Sequence, residues 1–378
     1  MDTLQKIDVL GGAAQWDVCR GCGTHDSRTR DELGHWIYPA IRPDGTHISM
    51  LKVLQSNVCE RDCLYCANRS GRDTRRVSFT PDELARVFSE MVAGNLVQGL
   101  FLSSGVCGGT PQATERMLAT VELIRRRYRF PGYVHLKILP GAEDASIEAA
   151  LRMAQRVSVN LEAPNAQRMR AISPSKDFSH ELLRTLGRAD ELRRRMGRPV
   201  SMTTQFVVGA ANEPDREILS TSTQLYHELR LGRAYYSAFQ PIPDTPLEDH
   251  PATPPLREHR LYQADFLLRQ YGFRFEELIF TNDGNLPQQG DPKFMWALRH
   301  PEAFPVEVNT APPELLLRIP GIGLRSVQRI VNWRKRGKLS ELGHIGRTGA
   351  DVGRAAPFIL LNGIRPSYQL PLWVQSMA

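Results

Sequence analysis

The sequence predicts an α/β fold in which six strand–helix units build a parallel sheet, followed by a smaller helical domain. From residue 50 onward, short apolar runs alternate with segments of helical periodicity, and neighbouring parallel strands need such crossovers. Helix starts are well marked, as at Pro81 to Ala93, where Thr80 and Glu83 can form a capping box. The predicted strands are Met50 to Leu54, Gly99 to Ser103, Val134 to Leu139, Val157 to Leu161, Met202 to Val208 and Ala234 to Phe239.

A chain of 378 residues is long enough for one large and one small domain. Turn-forming residues cluster between Asn282 and Pro292 and mark the connection. We therefore predict an irregular lead-in over residues 1–45 that packs on the sheet domain. The sheet domain itself is expected over residues 46–290 and the helical domain over residues 291–378.

The composition restricts the class of protein. The net charge of +7 is compatible with a polyanionic partner but does not require one. Six cysteines, three of them in one loop, do not make a disulfide scaffold and favour a reducing cytoplasm. No apolar run reaches the roughly 18 residues of a membrane span, and the N-terminus lacks a signal-peptide pattern. We expect a cytoplasmic protein with no membrane partner.

Three cysteines follow the first strand at the spacing C-x3-C-x2-C, namely Cys59, Cys63 and Cys66. Three thiolates from one tight loop can hold three irons of a [4Fe-4S] cluster and leave the fourth iron open. The alternative is a zinc site, which needs a fourth ligand such as His47 or the Cys19/Cys22 pair. Structural zinc sites more often use two C-x2-C pairs, so the spacing favours iron and sulfur.

Cys19 and Cys22 form a second C-x2-C pair near the N-terminus. They can be a further metal knuckle, or two thiols without a metal. Both interpretations stay open.

The cysteine spacing, with Tyr65 before the last cysteine, resembles the signature of the radical S-adenosylmethionine (SAM) superfamily. The resemblance implies a partial (β/α)6 TIM-like barrel with a [4Fe-4S] cluster and SAM as cofactors. The reduced cluster would cleave SAM to a 5′-deoxyadenosyl radical, while the protein supplies ligation and orientation. It also implies an electron donor such as flavodoxin or ferredoxin.

Small residues follow the second strand at Ser103, Ser104 and Gly105, where the superfamily receives the amino group of the methionine moiety. The acid that is common there is absent, but hydroxyls and carbonyls can make the same hydrogen bonds. On the fourth strand, Asn160 and Glu162 alternate onto one face and suit the ribose hydroxyls. Glu162 can instead line the barrel in an ion pair with Lys137.

Weaker candidates lie on the last two strands. Gly209 and Glu213 resemble the superfamily's adenine-side motif with the acid displaced by one residue, and Phe239 can form an apolar shelf for adenine. Cys107 and Tyr235 are candidates for returning a hydrogen atom during catalysis. Cys107 can equally be a small packing residue.

Near the C-terminus, residues 308–331 predict a helix, a tight turn and a second helix, with Thr310 as the first cap. Two glycines allow close backbone approach at the turn, and the amides that begin the second helix form an anion site. This helix-hairpin-helix pattern binds nucleic-acid backbone without reading sequence. A degraded second copy is expected at residues 339–349, followed by a helix over Ala355 to Leu361. The residues predicted to contact nucleic acid are Gly321, Gly323, Arg325, Ser326 and Arg329.

From about residue 8 to residue 366 the chain resembles the DNA modification and repair radical SAM proteins. Besides the two motifs above, the stretches 99–106, 257–265 and 296–301 carry this likeness. It implies a radical enzyme that modifies or repairs a nucleotide in DNA. RNA is the nearest alternative substrate, and radical chemistry on a small molecule or protein also stays open. A non-catalytic iron–sulfur protein that binds DNA or senses redox state is the remaining alternative.

Overall fold

The computed structural model of the chain describes residues 2–14, 37–41 and 46–367. Cys19 and Cys22 lie outside the described residues. The chain divides into two compact units, Met1–Glu258 and His259–Ala378. The division falls within one helix, Pro255–Gln270, whereas the turn-forming residues predicted a boundary near residue 290. Residues 259–290 therefore group with the C-terminal unit.

The first unit alternates strands and helices along most of its length. A π-helical turn, Phe178–Leu183, leads directly into one of the helices. The strands are β1 (Ile37–Ile41), β2 (His47–Leu54), β3 (Gly99–Ser103), β4 (Tyr133–Lys137), β5 (Arg156–Ser158), β6 (Ser201–Val208) and β7 (Arg233–Ala238). The helices are α1 (Thr3–Ala13), α2 (Pro81–Ala93), α3 (Gly109–Arg126), α4 (Asp144–Met153), α5 (Ala166–Ile172), α6 (Arg184–Arg195), α7 (Asp215–Leu229) and α8 (Pro255–Gln270), the last of which continues into the second unit.

The seven strands form one sheet whose order follows the chain from β1 to β7. Strands β2 to β7 are parallel, so all six predicted strands are present and β3 has the predicted bounds. Within the described residues β1 and β7 do not pair with each other, and the sheet is a curled, open half-barrel. The predicted partial (β/α)6 barrel is thus confirmed, with β1 added as an antiparallel edge strand.

The helix α2 shows how local signals and burial combine. Thr80 accepts from the amide of Glu83, and Glu83 accepts from the amide of Thr80 at 2.8 Å, which completes the predicted capping box. Proline occupies the first helical position, where it needs no hydrogen-bond partner. The predicted apolar stripe is buried at Leu84, Val87, Phe88 and Met91.

The N-terminal lead-in is not irregular throughout, contrary to the prediction for residues 1–45. Asp2 caps α1 by accepting from the amide of Gln5 at 2.8 Å, and Ile7 and Leu10 are buried. Gly11 and Gly12 argue against a helix by propensity, but the helix packs against β2 and the burial outweighs that cost. β1 is the second element of residues 1–45 that the sequence did not predict.

The second unit contains short helices and one small sheet. The predicted all-α domain is wrong in this respect, because β8 (Val306–Glu307) and β9 (Ile359–Leu360) pair in parallel. The helix expected over Ala355 to Leu361 is absent, since Pro357 lacks an amide proton and the chain passes into a 3-10 turn and then into β9. The helices of this unit are α9 (Pro292–Arg299), α10 (Pro313–Leu316), α11 (Leu324–Arg334), α12 (Leu342–Arg347) and α13 (Val352–Ala355).

Two helix–turn–helix segments follow each other in this unit, α10–α11 and α12–α13. The predicted cap Thr310 is wrong: α10 begins at Pro313 with Pro312 before it, because the residue before a proline is kept out of the helical conformation. Gly321 turns the first segment at φ +80°, and a Cβ there would lie 2.4 Å from the carbonyl oxygen of Asp351. Gly349 has φ +81° at the matching place in the second segment.

Candidate functional site

The loop between β2 and α2 carries Cys59, Cys63 and Cys66, which line one pocket of about 240 Å³ beside the carboxyl ends of the parallel strands. Cys63 is buried and the other two are half-buried. Burial and the neighbouring Cys63 raise the pKa of the Cys66 thiol to about 12. Cys63 and Cys59 therefore lie close enough to Cys66 to oppose its ionisation unless a cation binds the thiols.

This donor set fits a cluster better than a single ion. Among the described residues, no three His, Cys, Asp or Glu side chains are grouped to hold one metal ion. Ligands of one zinc ion must converge on a point, whereas a [4Fe-4S] cluster takes each thiolate on a different iron. The zinc ligand considered from the sequence, His47, is exposed at the start of β2 and does not line the pocket.

The turn after β3 brings Ser103, Ser104 and Gly105 into the same pocket. Gly105 lies directly against the cysteine loop: its amide donates to Ser56 at 2.7 Å, and a Cβ would meet the carbonyl oxygen of Val58 at 2.3 Å. Only glycine permits this approach. The Ser104 hydroxyl donates to the carbonyl of Gly105 at 2.7 Å.

Asn160 and Glu162 lie just beyond β5 and line the pocket together. Glu162 has a left-handed backbone, φ +62°, fixed by the bond from its amide to Gln205 and by the amide of Val207, which donates to its carbonyl, each at 2.8 Å. Such a conformation costs about 1–3 kcal/mol and is often found at functional sites. Its carboxylate pairs with Lys176 at 3.8 Å.

Two aromatic residues complete the predicted lining, Tyr65 and Phe239. Burial and the carboxylate of Glu162 raise the pKa of Tyr65 well above its ordinary value, so its hydroxyl keeps its proton. Phe239 contacts the ring of His250 edge-on at 5.3 Å. Phe239 and Tyr65 lie far apart in the chain, and together they can contact a ligand through an aromatic face and a protonated hydroxyl.

Other predicted residues do not line this pocket. Cys107 is half-buried one residue beyond the lining, and Tyr235 accepts from Arg156 at 3.3 Å elsewhere in the barrel. Glu213 accepts from the amides of Gly209 at 2.5 Å and Ala211 at 3.1 Å. Glu213 therefore stabilises the turn after β6, and the hydrogen-return role of Cys107 and Tyr235 stays a prediction.

A segment that the sequence did not predict also contacts the cysteine loop. The Ser173 hydroxyl lies 3.3 Å from both Cys63 Sγ and the Asp62 carboxylate and shares its one proton between these two acceptors. Ser175 donates to Asp62 at 2.6 Å. Arg61 forms an ion pair with Glu181. The only signal in the sequence is the run of turn formers Ser173-Pro174-Ser175-Lys176-Asp177, which says nothing about what it contacts. Gln205 and Ser237 are further pocket-lining residues without a sequence signal.

In the second unit, an open cavity of about 510 Å³ lies at the start of α11. It is lined by Gly321, Gly323, Arg325 and Ser326, which are four of the five predicted nucleic-acid contacts. The fifth, Arg329, does not line the cavity and donates to the carbonyl of Thr348 at 3.2 Å. Beside the turn, Lys293 is buried and donates to the carbonyl of Ile322 at 2.5 Å.

Comparison with known families identifies the first of these sites. Residues 53–224 match the family described as Radical SAM superfamily, and this range contains the cysteine loop, the turn after β3 and the residues beyond β5. The chain carries a radical SAM domain. Enzymes of this superfamily use a [4Fe-4S] cluster and SAM as cofactors. Cys59, Cys63 and Cys66 are the residues that would hold the cluster.

The solved structures that the chain matches are distant in sequence. The [FeFe]-hydrogenase maturase HydG is 13% identical with a TM-score of 0.48, over 57% of this chain and 48% of that one. HydG from Carboxydothermus hydrogenoformans is 14% identical, with a TM-score of 0.47 over 58% of this chain and 51% of that one. Methylornithine synthase (PylB) is 13% identical with a TM-score of 0.45, over 85% of this chain and 73% of that one.

The chain spans about half the length of the two HydG structures. No curated protein matches the chain. Within the described residues, no helix combines the length and the apolar character needed to cross a membrane.

Proposed function

We propose that this protein is a radical SAM enzyme that modifies or repairs a nucleotide in DNA. The cluster and SAM would supply a 5′-deoxyadenosyl radical once an electron donor such as flavodoxin or ferredoxin reduces the cluster. The chain's own residues would ligate the cluster, orient SAM through the turn after β3 and the residues beyond β5, and keep water from the reacting atoms. The C-terminal unit would hold the DNA backbone.

The observation that carries the proposed substrate is the cavity at the start of α11. The first amides of an 11-residue helix face an anion favourably, because they lack partners within the helix and carry the positive end of its dipole. Ser326, the third helical residue, is buried, and its hydroxyl makes no hydrogen bond with the described residues. Arg325 lines the same cavity and is exposed. Together these groups suit a phosphate of a nucleic-acid backbone, as a helix-hairpin-helix would bind it.

The arginines of this region differ in how many hydrogen bonds they already make within the protein, and therefore in whether they can contact a phosphate. Arg334 donates to the carbonyls of Val308 and Ala311, so its role is to hold the chain together within the unit. Arg325 has no such bond among the described residues and is the better candidate for a phosphate contact. Arg329 has one bond to a backbone carbonyl and remains partly available.

The catalytic part of the proposal is tested anaerobically with the reconstituted, dithionite-reduced protein. We expect 5′-deoxyadenosine to form from SAM, to increase when duplex DNA is added, and to disappear in Cys63→Ala. No product from a protein that contains a full four-iron cluster would contradict the proposal and favour a non-catalytic iron–sulfur protein.

The DNA part is tested by binding. Arg325→Gln and Arg329→Gln should weaken duplex binding. Each should also reduce the slope of log binding constant against log salt concentration by about one for each phosphate that the variant no longer neutralises. Arg126→Gln, at an exposed arginine of α3 in the first unit, removes the same charge and should leave binding unchanged. Equal effects of all three variants would attribute binding to net charge alone. Tighter binding of structured RNA than of duplex DNA would favour RNA as the substrate.

A further inference from the structure

The segment Ser173–Lys176 brings two donors to the cluster loop. Ser173 is fully buried, and its hydroxyl lies 3.3 Å from Cys63 Sγ and 3.3 Å from a carboxylate oxygen of Asp62. The backbone joins the two chain segments as well, because the amide of Leu64 donates to Ile172 at 2.8 Å. One cluster ligand is therefore in contact with a hydroxyl that comes from a distant part of the chain.

Lys176 places a cation beside the same ligand. Its side chain is 8% exposed and lines the pocket together with Cys63 and Cys66. It pairs with Glu162 at 3.8 Å, a distance at which the pair is held by charge more than by a short hydrogen bond.

We propose that Ser173 and Lys176 raise the reduction potential of the [4Fe-4S] cluster through the sulfur of Cys63. Reduction adds one electron, and so one negative charge, to the cluster. A hydrogen bond to a ligand sulfur and a nearby buried cation both stabilise the more negative state. Solvent screens this effect little, because both groups are buried. The proposal rests on the cofactors of the radical SAM domain and is independent of the substrate.

Ser175 provides a matched control from the same segment. It donates to Asp62 at 2.6 Å and its carbonyl accepts from Arg61 at 3.2 Å, so it anchors the cluster loop without touching a ligand sulfur. Removing its hydroxyl should disturb the loop's anchoring as removing that of Ser173 does. Any difference in midpoint potential between the two variants then reports the contact between Ser173 and Cys63.

The experiment is an anaerobic redox titration of the reconstituted full-length protein, followed by the EPR signal of the reduced cluster without any substrate. Ser173→Ala and Lys176→Met should lower the midpoint potential, while Lys176→Arg and Ser175→Ala should keep it close to the native value. At the native midpoint we expect the reduced-to-oxidised ratio to fall about tenfold in Lys176→Met, which is about 59 mV for one electron.

A double variant separates the effect of Lys176 on the potential from that of its partner Glu162. Lys176→Met leaves the Glu162 carboxylate uncompensated, so Lys176→Met/Glu162→Gln is measured beside it and should retain the lowered potential. A native potential in the double variant would assign the effect to Glu162. Unchanged potentials in Ser173→Ala and Lys176→Met, or an equal shift in Ser175→Ala, would overturn the proposal. If Lys176→Met fails to hold four irons, the midpoint potentials of Ser173→Ala and Ser175→Ala are compared instead, and equal potentials overturn the proposal. Failure to form 5′-deoxyadenosine would not affect this result.

Discussion

Single residues decide how closely the pocket walls approach the cluster loop, and Gly105 is the clearest case. A Cβ at this position would lie 2.3 Å from the carbonyl oxygen of Val58 and 3.1 Å from the Cβ of Cys59. We expect Gly105→Ala to push the loop away and to lower the iron content after reconstitution. Gly187→Ala is the control, because a Cβ there has nothing within 4 Å. Equal iron content in both variants would show that the loop adapts.

Lys293 gives a prediction of pH dependence. Burial lowers its pKa to about 7, with Asp291 opposing the shift and Arg354 and Arg318 adding to it; the Tyr271 ring lies 4.9 Å from the amine. Below pH 7 the folded protein bears the cost of a buried charge. Between pH 7 and the ordinary lysine pKa of 10.5, the unfolded chain binds more protons than the folded one, so the free energy of unfolding rises with pH.

The measurement is denaturant unfolding of the full-length protein and of Lys293→Met between pH 6 and pH 9. The native protein should gain on the order of 1–3 kcal/mol relative to the variant over this range. A constant difference between the two proteins would mean that the amine stays charged in the folded protein throughout this range.

The three candidate cluster ligands could be named from the sequence because they lie in one loop and their spacing carries the chemistry. Ser173 and Lys176 could not, because their meaning depends on the long-range contact with Cys63, across 110 residues for Ser173. Glu213 matched a cofactor motif only with its spacing displaced by one residue. In the structure its carboxylate holds the two backbone amides of the turn after β6.

At the scale of elements, α2 depends on its N-terminal cap. Thr80 and Glu83 satisfy each other's amides, and Lys6 of α1 pairs with Glu83 at 2.8 Å. Thr80→Ala should lower the free energy of unfolding by about 1 kcal/mol, and Thr80→Ser should restore most of it. Calorimetry of the three proteins checks this. A serine variant as unstable as the alanine variant would point to the threonine methyl group and not to the cap.

Strands and helices were predictable where burial and local signals agree. The five residues of β3 are all buried and lie between clear turn residues, so the apolar run gave the correct bounds. The short β9 was not predicted because two residues of strand have no periodicity to detect, and its partner β8 lies far earlier in the chain. Pro357, which lacks an amide proton, could have excluded the helix expected there.

At the scale of the whole molecule, the cofactor is expected to contribute to folding stability. The cluster binds only the folded arrangement of three cysteines, and a ligand that binds only the folded state stabilises it. Removing iron with a chelator under oxidation should lower the unfolding temperature. The triple variant of Cys59, Cys63 and Cys66 to Ala should unfold at a temperature that reconstitution does not change. An unchanged unfolding temperature on iron removal would mean that the loop is held by its protein contacts alone.

The parallel sheet could be derived from the order of strands and helices, because parallel neighbours need crossovers. The position of the division between the two units could not. Turn-forming residues near 290 mark a loop, yet the chain divides within α8, since compactness depends on which surfaces pack and not on local flexibility.

The ion pair between Arg61 and Glu181 joins residues 120 positions apart, and this separation bears on the order of events during synthesis. The cysteines leave the ribosome well before the segment that holds their loop. At ~5–20 residues per second, translation leaves an interval of about 6–24 s between the two. During that interval the thiols are exposed to oxidants and to stray metal ions. We therefore expect cluster insertion to follow synthesis of the segment that contains Glu181, and to depend on a cellular iron–sulfur donor that can wait for it.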